Sequence, residues 1–113
     1  MKEIKAIIQQ FMTDKVIDSL RGYDQLPGVT VSMVRGFGRQ AQDGVHGADT
    51  ADSEGETAMT KVEIVVPDQL AETVVGLILA SAHTGHPGDG KIFVYDVEQV
   101  VRIRTGERGG GAI

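Results

Sequence analysis

The run Thr84-Gly85-His86-Pro87-Gly88-Asp89-Gly90-Lys91 has a composition suited to holding an anion. Glycines at 85, 88 and 90 permit backbone conformations in which several N–H groups converge on one negative group, and Lys91 adds a point charge. Alone, such a run is equally a turn with a solvated lysine. Val100-Val101-Arg102-Ile103-Arg104 supplies a second feature. On an extended segment Arg102 and Arg104 share a face. Two guanidiniums there repel unless an anion lies between them, and the planar fork of arginine matches phosphate. The plainer reading is a charged edge strand that resists aggregation. In Gly36-Phe37-Gly38-Arg39-Gln40, two glycines let backbone approach a ligand, and Gln40 can ligate a cation or hydrogen-bond an acid. The alternative is a bulge that ends a strand. Together the three features leave two readings open: a nucleotide held through its phosphates, or three separate structural devices. The sequence offers no Ser-His-Asp or Cys-His set and no paired-carboxylate site, so a binding protein is expected rather than an enzyme. Slow hydrolysis of a bound ATP is compatible with that expectation.

These residues need a scaffold, and the rest of the chain suggests one. KEIKAII at 2–8 reads as a strand. Thr13 reads as a helix N-cap followed by Asp14, with Val16, Ile17 and Leu20 at helical spacing and Gly22 as a stop. VTVSMV (29–34) and KVEIVVP (61–67) are further strands. Asp68 is expected to cap a second helix that buries Leu70, Val74, Leu77 and Ile78 and ends near residue 83. KIFVYDV (91–97) is a fourth strand, and 100–104 a short extended piece. The glycine-rich tail is expected to be mobile unless it docks on a neighbour. The order β-α-β-β-α-β predicts an α+β, ferredoxin-like fold: an antiparallel sheet with two helices on one face. Residues 39–60 have no sustained period, which predicts a long protruding hairpin tip.

A chain of 113 residues, 41% hydrophobic and 24% charged, suits one compact domain over 1–113. It has no cysteine, which excludes disulfides and thiolate metal sites. The start MKEIKAIIQQ lacks a signal-peptide pattern, and no apolar run approaches the length of a membrane helix. Cytoplasmic location without membrane insertion is therefore expected. The net charge is −5, from 16 acidic and 11 basic residues. Asp43, Asp49, Asp52, Glu54 and Glu56 carry that whole excess within 41–58, a stretch without Lys or Arg. The remainder is formally neutral, which disfavours nucleic acid as a partner.

The chain resembles the PII (P-II) nitrogen-regulatory signal-transduction proteins. MKEIKAII, TVSMVRGFGRQ, KVEIVV and TGHPGDGKIFVYDVEQVVRIRTGE carry the resemblance, which covers essentially the whole length. It implies a homotrimer with nucleotide sites in the clefts between subunits. It assigns the phosphates to the B-loop (about 83–91), with Gly85, Gly88, Asp89, Gly90 and Lys91, and to Arg102 and Arg104 of the C-terminal loop (about 102–113). Gly36, Phe37, Gly38 and Arg39 would approach from the facing subunit. Thr30 and the strand at 63–65, Val65 included, would line the base. ATP and ADP would compete, with AMP a third candidate. Gln40 would help bind Mg2+ and 2-oxoglutarate beside ATP. The T-loop (about 39–60) would dock on a membrane transporter or an enzyme and regulate it.

Several residues depart from the family pattern. Asp52 stands where relatives carry the uridylylated tyrosine, so that modification cannot occur there. Thr50 falls where some relatives have a phosphorylated serine. Met59 replaces a lysine that pairs with 2-oxoglutarate, and Lys61 is expected to point elsewhere. Gln9–Gln10 replace Lys-Pro. These changes leave room for a second reading, a paralogue sensing another small anion such as bicarbonate, or a metal, for a carbon- or metal-transport system. Asp43, His46, Asp49, Asp52 and Glu54 are oxygen-rich enough for a hard cation but lack a fixed spacing, and a solvated loop is the simpler account. The acidic loop favours a basic docking surface on its partner. His83 and His86 are expected to face solvent, with His86 near enough to the loop for a pH-dependent phosphate contact.

Overall fold

Alternating apolar and polar residues make Lys2–Gln9 a strand, β1, with Ile4, Ala6 and Ile8 fully buried. The computed structural model describes residues 1–38 and 56–113. Its other strands are β2 (Thr30–Gly36), β3 (Thr57–Val66) and β4 (Gly90–Asp96), and its helices are α1 (Thr13–Arg21) and α2 (Ala71–Ala82). The sheet order is β2-β3-β1-β4 and all pairings are antiparallel. Val16 and Leu20 of α1 and Val74 and Ile78 of α2 pack with Ile4, Ile8, Val62 and Ile64 in one core. Each such side chain stabilises the fold by about 1.5–3 kcal/mol on burial. Both helices therefore cover one face, and the ferredoxin-like architecture is the one the element order predicts.

Four local expectations need correction. Thr13 is the first residue of α1, not its N-cap, because a 3-10 turn at Gln10–Met12 leads directly into the helix. Its hydroxyl donates to the Gln10 carbonyl at 2.7 Å and lies 2.8 Å from the hydroxyl of the fully buried Thr60. Asp68 likewise opens a 3-10 turn, Asp68–Leu70, and makes no side-chain cap; its carboxylate takes the Met1 amine at 2.7 Å. The third strand starts at Thr57, so four residues assigned to the long loop are paired, Thr57 lying opposite Gly36. Finally, 100–104 is not a strand. Val101 makes an isolated bridge to Arg108, and residues 103–105 form a turn. The alternation that was to put Arg102 and Arg104 on one face is absent.

The tail is folded back on its own chain. Gly109 N–H donates to Val100 O at 3.0 Å, Gly110–Ala112 form a 3-10 turn, and Ala112 is buried.

Candidate functional site

The glycine run connects α2 to β4, and its three glycines all have positive φ: Gly85 at 86°, Gly88 at 97° and Gly90 at 98°. Gly90 is doubly required. A Cβ there would lie 1.7 Å from the carbonyl oxygen of Ile7, so only glycine lets the loop enter β4 beside β1.

The loop is organised around an anion of its own. The Asp89 carboxylate accepts the backbone N–H of Thr84 at 2.9 Å and of Gly85 at 3.0 Å, together with the Thr84 hydroxyl. Gln9 at the end of β1 donates its amide to the same carboxylate at 2.8 Å. The Thr84 hydroxyl, followed by the two backbone donors and Gln9, holds the Asp89 carboxyl far below the ordinary carboxylate range, against a smaller opposing effect of burial. His83 Nδ1 lies 3.8 Å from it, although the imidazole is largely exposed as expected; His86 is exposed too. The Thr84 and Gly85 donors thus face Asp89 rather than an outside anion, and Lys91, at the start of β4, is exposed. Lys91 has no hydrogen-bond or ion-pair partner among the described residues.

A second constellation lies on the open face of the sheet. Thr30, Glu63, Val65, Val100, Ala112 and Ile113 border a cleft of about 340 Å³, with Glu3 on its floor. Thr30 and Glu63 are strand partners, as are Glu3 and Val65. That volume is at the small end for a ligand site, so one chain supplies a partial wall. Arg102 stands beside this cleft in the tail hairpin. Its Nη1 is 3.1 Å from Glu107 Oε1, and its Nη2 donates to Gly111 O at 3.2 Å. Arg104 is exposed in the turn and has no partner among the described residues.

Strand register separates the two constellations. The glycine loop meets β1 where Gly90 pairs with Ile8, and Gly36 ends β2 at the same end of the sheet. The cleft lies where Glu3 pairs with Val65. Glu3 and Ile8 are five residues apart, about 17 Å along an antiparallel strand. Within one chain, Gly36, Phe37 and Gly38 therefore accompany the glycine loop, while Thr30 and Val65 accompany the tail that carries Arg102. Phe37 is highly exposed at this loop end, 79% accessible.

The open face explains two further positions. Met59 and Lys61 both project to it, because they are two residues apart on β3. The expectation that Lys61 points elsewhere is thus wrong, but its amine is taken by Glu63 at 3.6 Å. Nearby on the same face, Lys5 Nζ lies 5.4 Å and 5.0 Å from the ring centroids of Phe93 and Tyr95, which remain well exposed.

Arg39, Gln40, Thr50 and Asp52, with the cation candidates Asp43, His46, Asp49 and Glu54, lie outside the described residues. Among the described residues no group of three or more His, Asp or Glu is arranged to hold a metal, and no helix is long and apolar enough to cross a membrane. Sequence reasoning missed Gln9 and Glu107 as partners in these networks. The five-residue spacing of Thr84 and Asp89 was the available signal for the first network; nothing local points to Gln9.

Comparison with known proteins follows the same lines. The family model described as "Nitrogen regulatory protein P-II" matches residues 1–107. The chain is 45% identical over 115 residues to the nitrogen regulatory protein P-II of Azospirillum brasilense, covering 100% of both chains. It is 44% identical over 119 residues to nitrogen regulatory protein P-II 1 of Escherichia coli K12, again covering 100% of both. Among solved structures, Arabidopsis thaliana PII bound to citrate aligns with a TM-score of 0.79 at 38% identity, over 99% of this chain and 91% of that one.

Proposed function

Because the chain belongs to the nitrogen regulatory protein P-II family, we propose that it is a PII-type signal-transduction regulator which binds adenine nucleotides, ATP or ADP and also AMP, between subunits of a homotrimer. The supporting observation is the separation of the two constellations. The loop with Lys91 and the cleft beside Arg102 sit at opposite ends of β1, so a second chain must bring one to the other before both can hold one nucleotide. The exposed aromatic face with Phe93 and Tyr95 offers apolar surface for that association. Lys91, Arg102 and Arg104 would then neutralise the phosphates, and Thr30 and Val65 would contact the base. The oxygen of Gln40 and the nucleotide phosphates would hold Mg2+. On this reading the chain is a cytoplasmic regulator whose 39–60 segment acts on a transporter or enzyme.

Calorimetry with ATP, ADP and AMP tests the proposal. Micromolar binding is expected, and Arg102→Ala should weaken it at least about tenfold, or about 1.4 kcal/mol, with the oligomer intact by light scattering. No binding at millimolar nucleotide would refute the reading.

Met59 favours a second reading for the co-ligand. It stands where the family's 2-oxoglutarate lysine would be, and Lys61 on the same face is engaged by Glu63. On this reading Mg-ATP binding responds to another small anion, such as bicarbonate, or to a metal, as in a carbon- or metal-transport system. Tighter Mg-ATP binding with 2-oxoglutarate, and none with bicarbonate, would decide against this second reading.

A further inference from the structure

One segment of the same chain both engages Arg102 and borders the cleft beside it. Two guanidinium nitrogens of Arg102 are used, one by the Glu107 carboxylate at 3.1 Å and the other by the Gly111 carbonyl at 3.2 Å. Those are the donors a bidentate phosphate contact would need. Downstream, Ala112 is buried and Ile113 borders the cleft beside Thr30 and Val65. Arg104 and Lys91 have no such partners among the described residues. The tail therefore engages one basic group and borders the cleft wall at Thr30 and Val65.

We propose that residues 107–113 are an intrachain latch that competes with nucleotide for Arg102 and for the cleft wall at Thr30 and Val65. The inference rests on the reading of this cleft as half of a nucleotide site. Glu107 stands in for a phosphate oxygen, and Ala112 and Ile113 stand in for part of the base.

The latch is shaped by the backbone but weakly held. Gly106 has φ 74° and closes the turn by donating its N–H to Arg102 O at 2.7 Å. Gly109 has φ 89° and directs the chain back toward the cleft. Gly111 keeps room for Glu107, since a Cβ there would lie 3.1 Å from Glu107 Oε2. The ion pair itself is partly solvated, with side chains 38% and 46% accessible. Such pairs are readily exchanged for a better anion. A triphosphate, with more charge and more acceptor oxygens than one carboxylate, displaces Glu107. A monophosphate, with fewer oxygens for Arg102, binds less tightly to the open tail, and the latch lowers both affinities by one common factor. While latched, the chain binds with an affinity reduced by the fraction of open tail.

The test uses the full chain, with Glu107→Gln and, separately, Gly111→Ala, which presses on Glu107 Oε2 and shifts it by a few tenths of an ångström. ATP and AMP affinities are measured by calorimetry at low and high salt. Hydrogen exchange at the Gly109 and Ala112 amides is followed with and without ATP. Both variants are expected to bind ATP about three- to fivefold tighter at low salt, the scale of a partly exposed ion pair. They should exchange these amides faster without nucleotide, and the gain in affinity should be the same factor for AMP as for ATP, since both bind only the open tail. In the unsubstituted protein, ATP should speed exchange at both amides. ATP binding that is equal in all three proteins, or weaker in both variants, overturns the latch and leaves the nucleotide site standing. Failure of all three to bind any nucleotide overturns the site and the latch with it.

Discussion

In the glycine loop the nearest anion to the backbone donors is the protein's own Asp89; in the tail the anion on Arg102 is the protein's own Glu107. Asp89 receives two backbone N–H groups, a hydroxyl and the Gln9 amide, and its side chain is only 24% accessible. Glu107 pairs with one arginine and is nearly half exposed. The first arrangement is a permanent part of the loop, because removing the carboxylate strands several donors at once. The second leaves no buried group unpaired when it opens. An internal carboxylate can thus build a binding loop or guard a binding group, depending on how many donors depend on it and how far water reaches.

This contrast is sharpest at the backbone. Gly90→Ala should destabilise the fold by about 3 kcal/mol, combining overpacking against Ile7 with left-handed strain. Chemical denaturation measures this directly; a loss below about 1 kcal/mol would show that the loop is not locked against β1.

Asp89→Ala comes next, with a loss of about 1–2 kcal/mol at pH 7 from unsatisfied donors. Asp89→Asn tests the charge. The native Asp89 carboxyl titrates below its ordinary value of 3.8. Its contribution is therefore complete at neutral pH and is lost as pH falls below about 4. The stability gap between the unsubstituted protein and Asp89→Asn should be constant above about pH 4 and narrow progressively as the pH falls below it. A gap independent of pH over that range would remove the charge from the account.

Gln9→Ala should have a smaller effect, about 1 kcal/mol for one hydrogen bond to a charged group. Faster amide exchange at Thr84 and Gly85 would place Gln9 in the loop's support, and unchanged exchange would leave Asp89 held by Thr84 and Gly85 alone. The smallest change is expected in the tail. Glu107→Gln should alter stability by less than about 1 kcal/mol, and salt should erase the difference. A loss as large as that of Asp89→Ala would abolish the distinction between the two regions.

Much of the scaffold was legible in the chain. The alternation in 2–8 and 61–66 marks strands buried on one face, and Val74 and Ile78 at helical spacing mark the face of α2. The glycines at 85, 88 and 90 announced a loop of unusual backbone. Errors arose where local preference met no tertiary partner. Val100, Val101 and Ile103 favour extended structure, yet only Val101 finds a bridge, because Gly106 turns the tail back at once. Thr57 to Thr60 lack a strong signature but become strand because β2 offers all four a partner and β1 offers partners to Met59 and Thr60.

By itself the sequence determined the element order, the faces that must be buried and the loop that only glycine can build. These depend on residue type and short-range spacing, with periods of two or 3.6 residues. Tertiary structure alone decided what those residues meet. Gln9 reaches Asp89 across 80 positions of chain. Strand order puts Thr30 and Gly90 on opposite edge strands of the sheet, and the returning tail places Glu107 on Arg102. Each of these contacts depends on how strands pair and where the chain turns back, which no local pattern specifies.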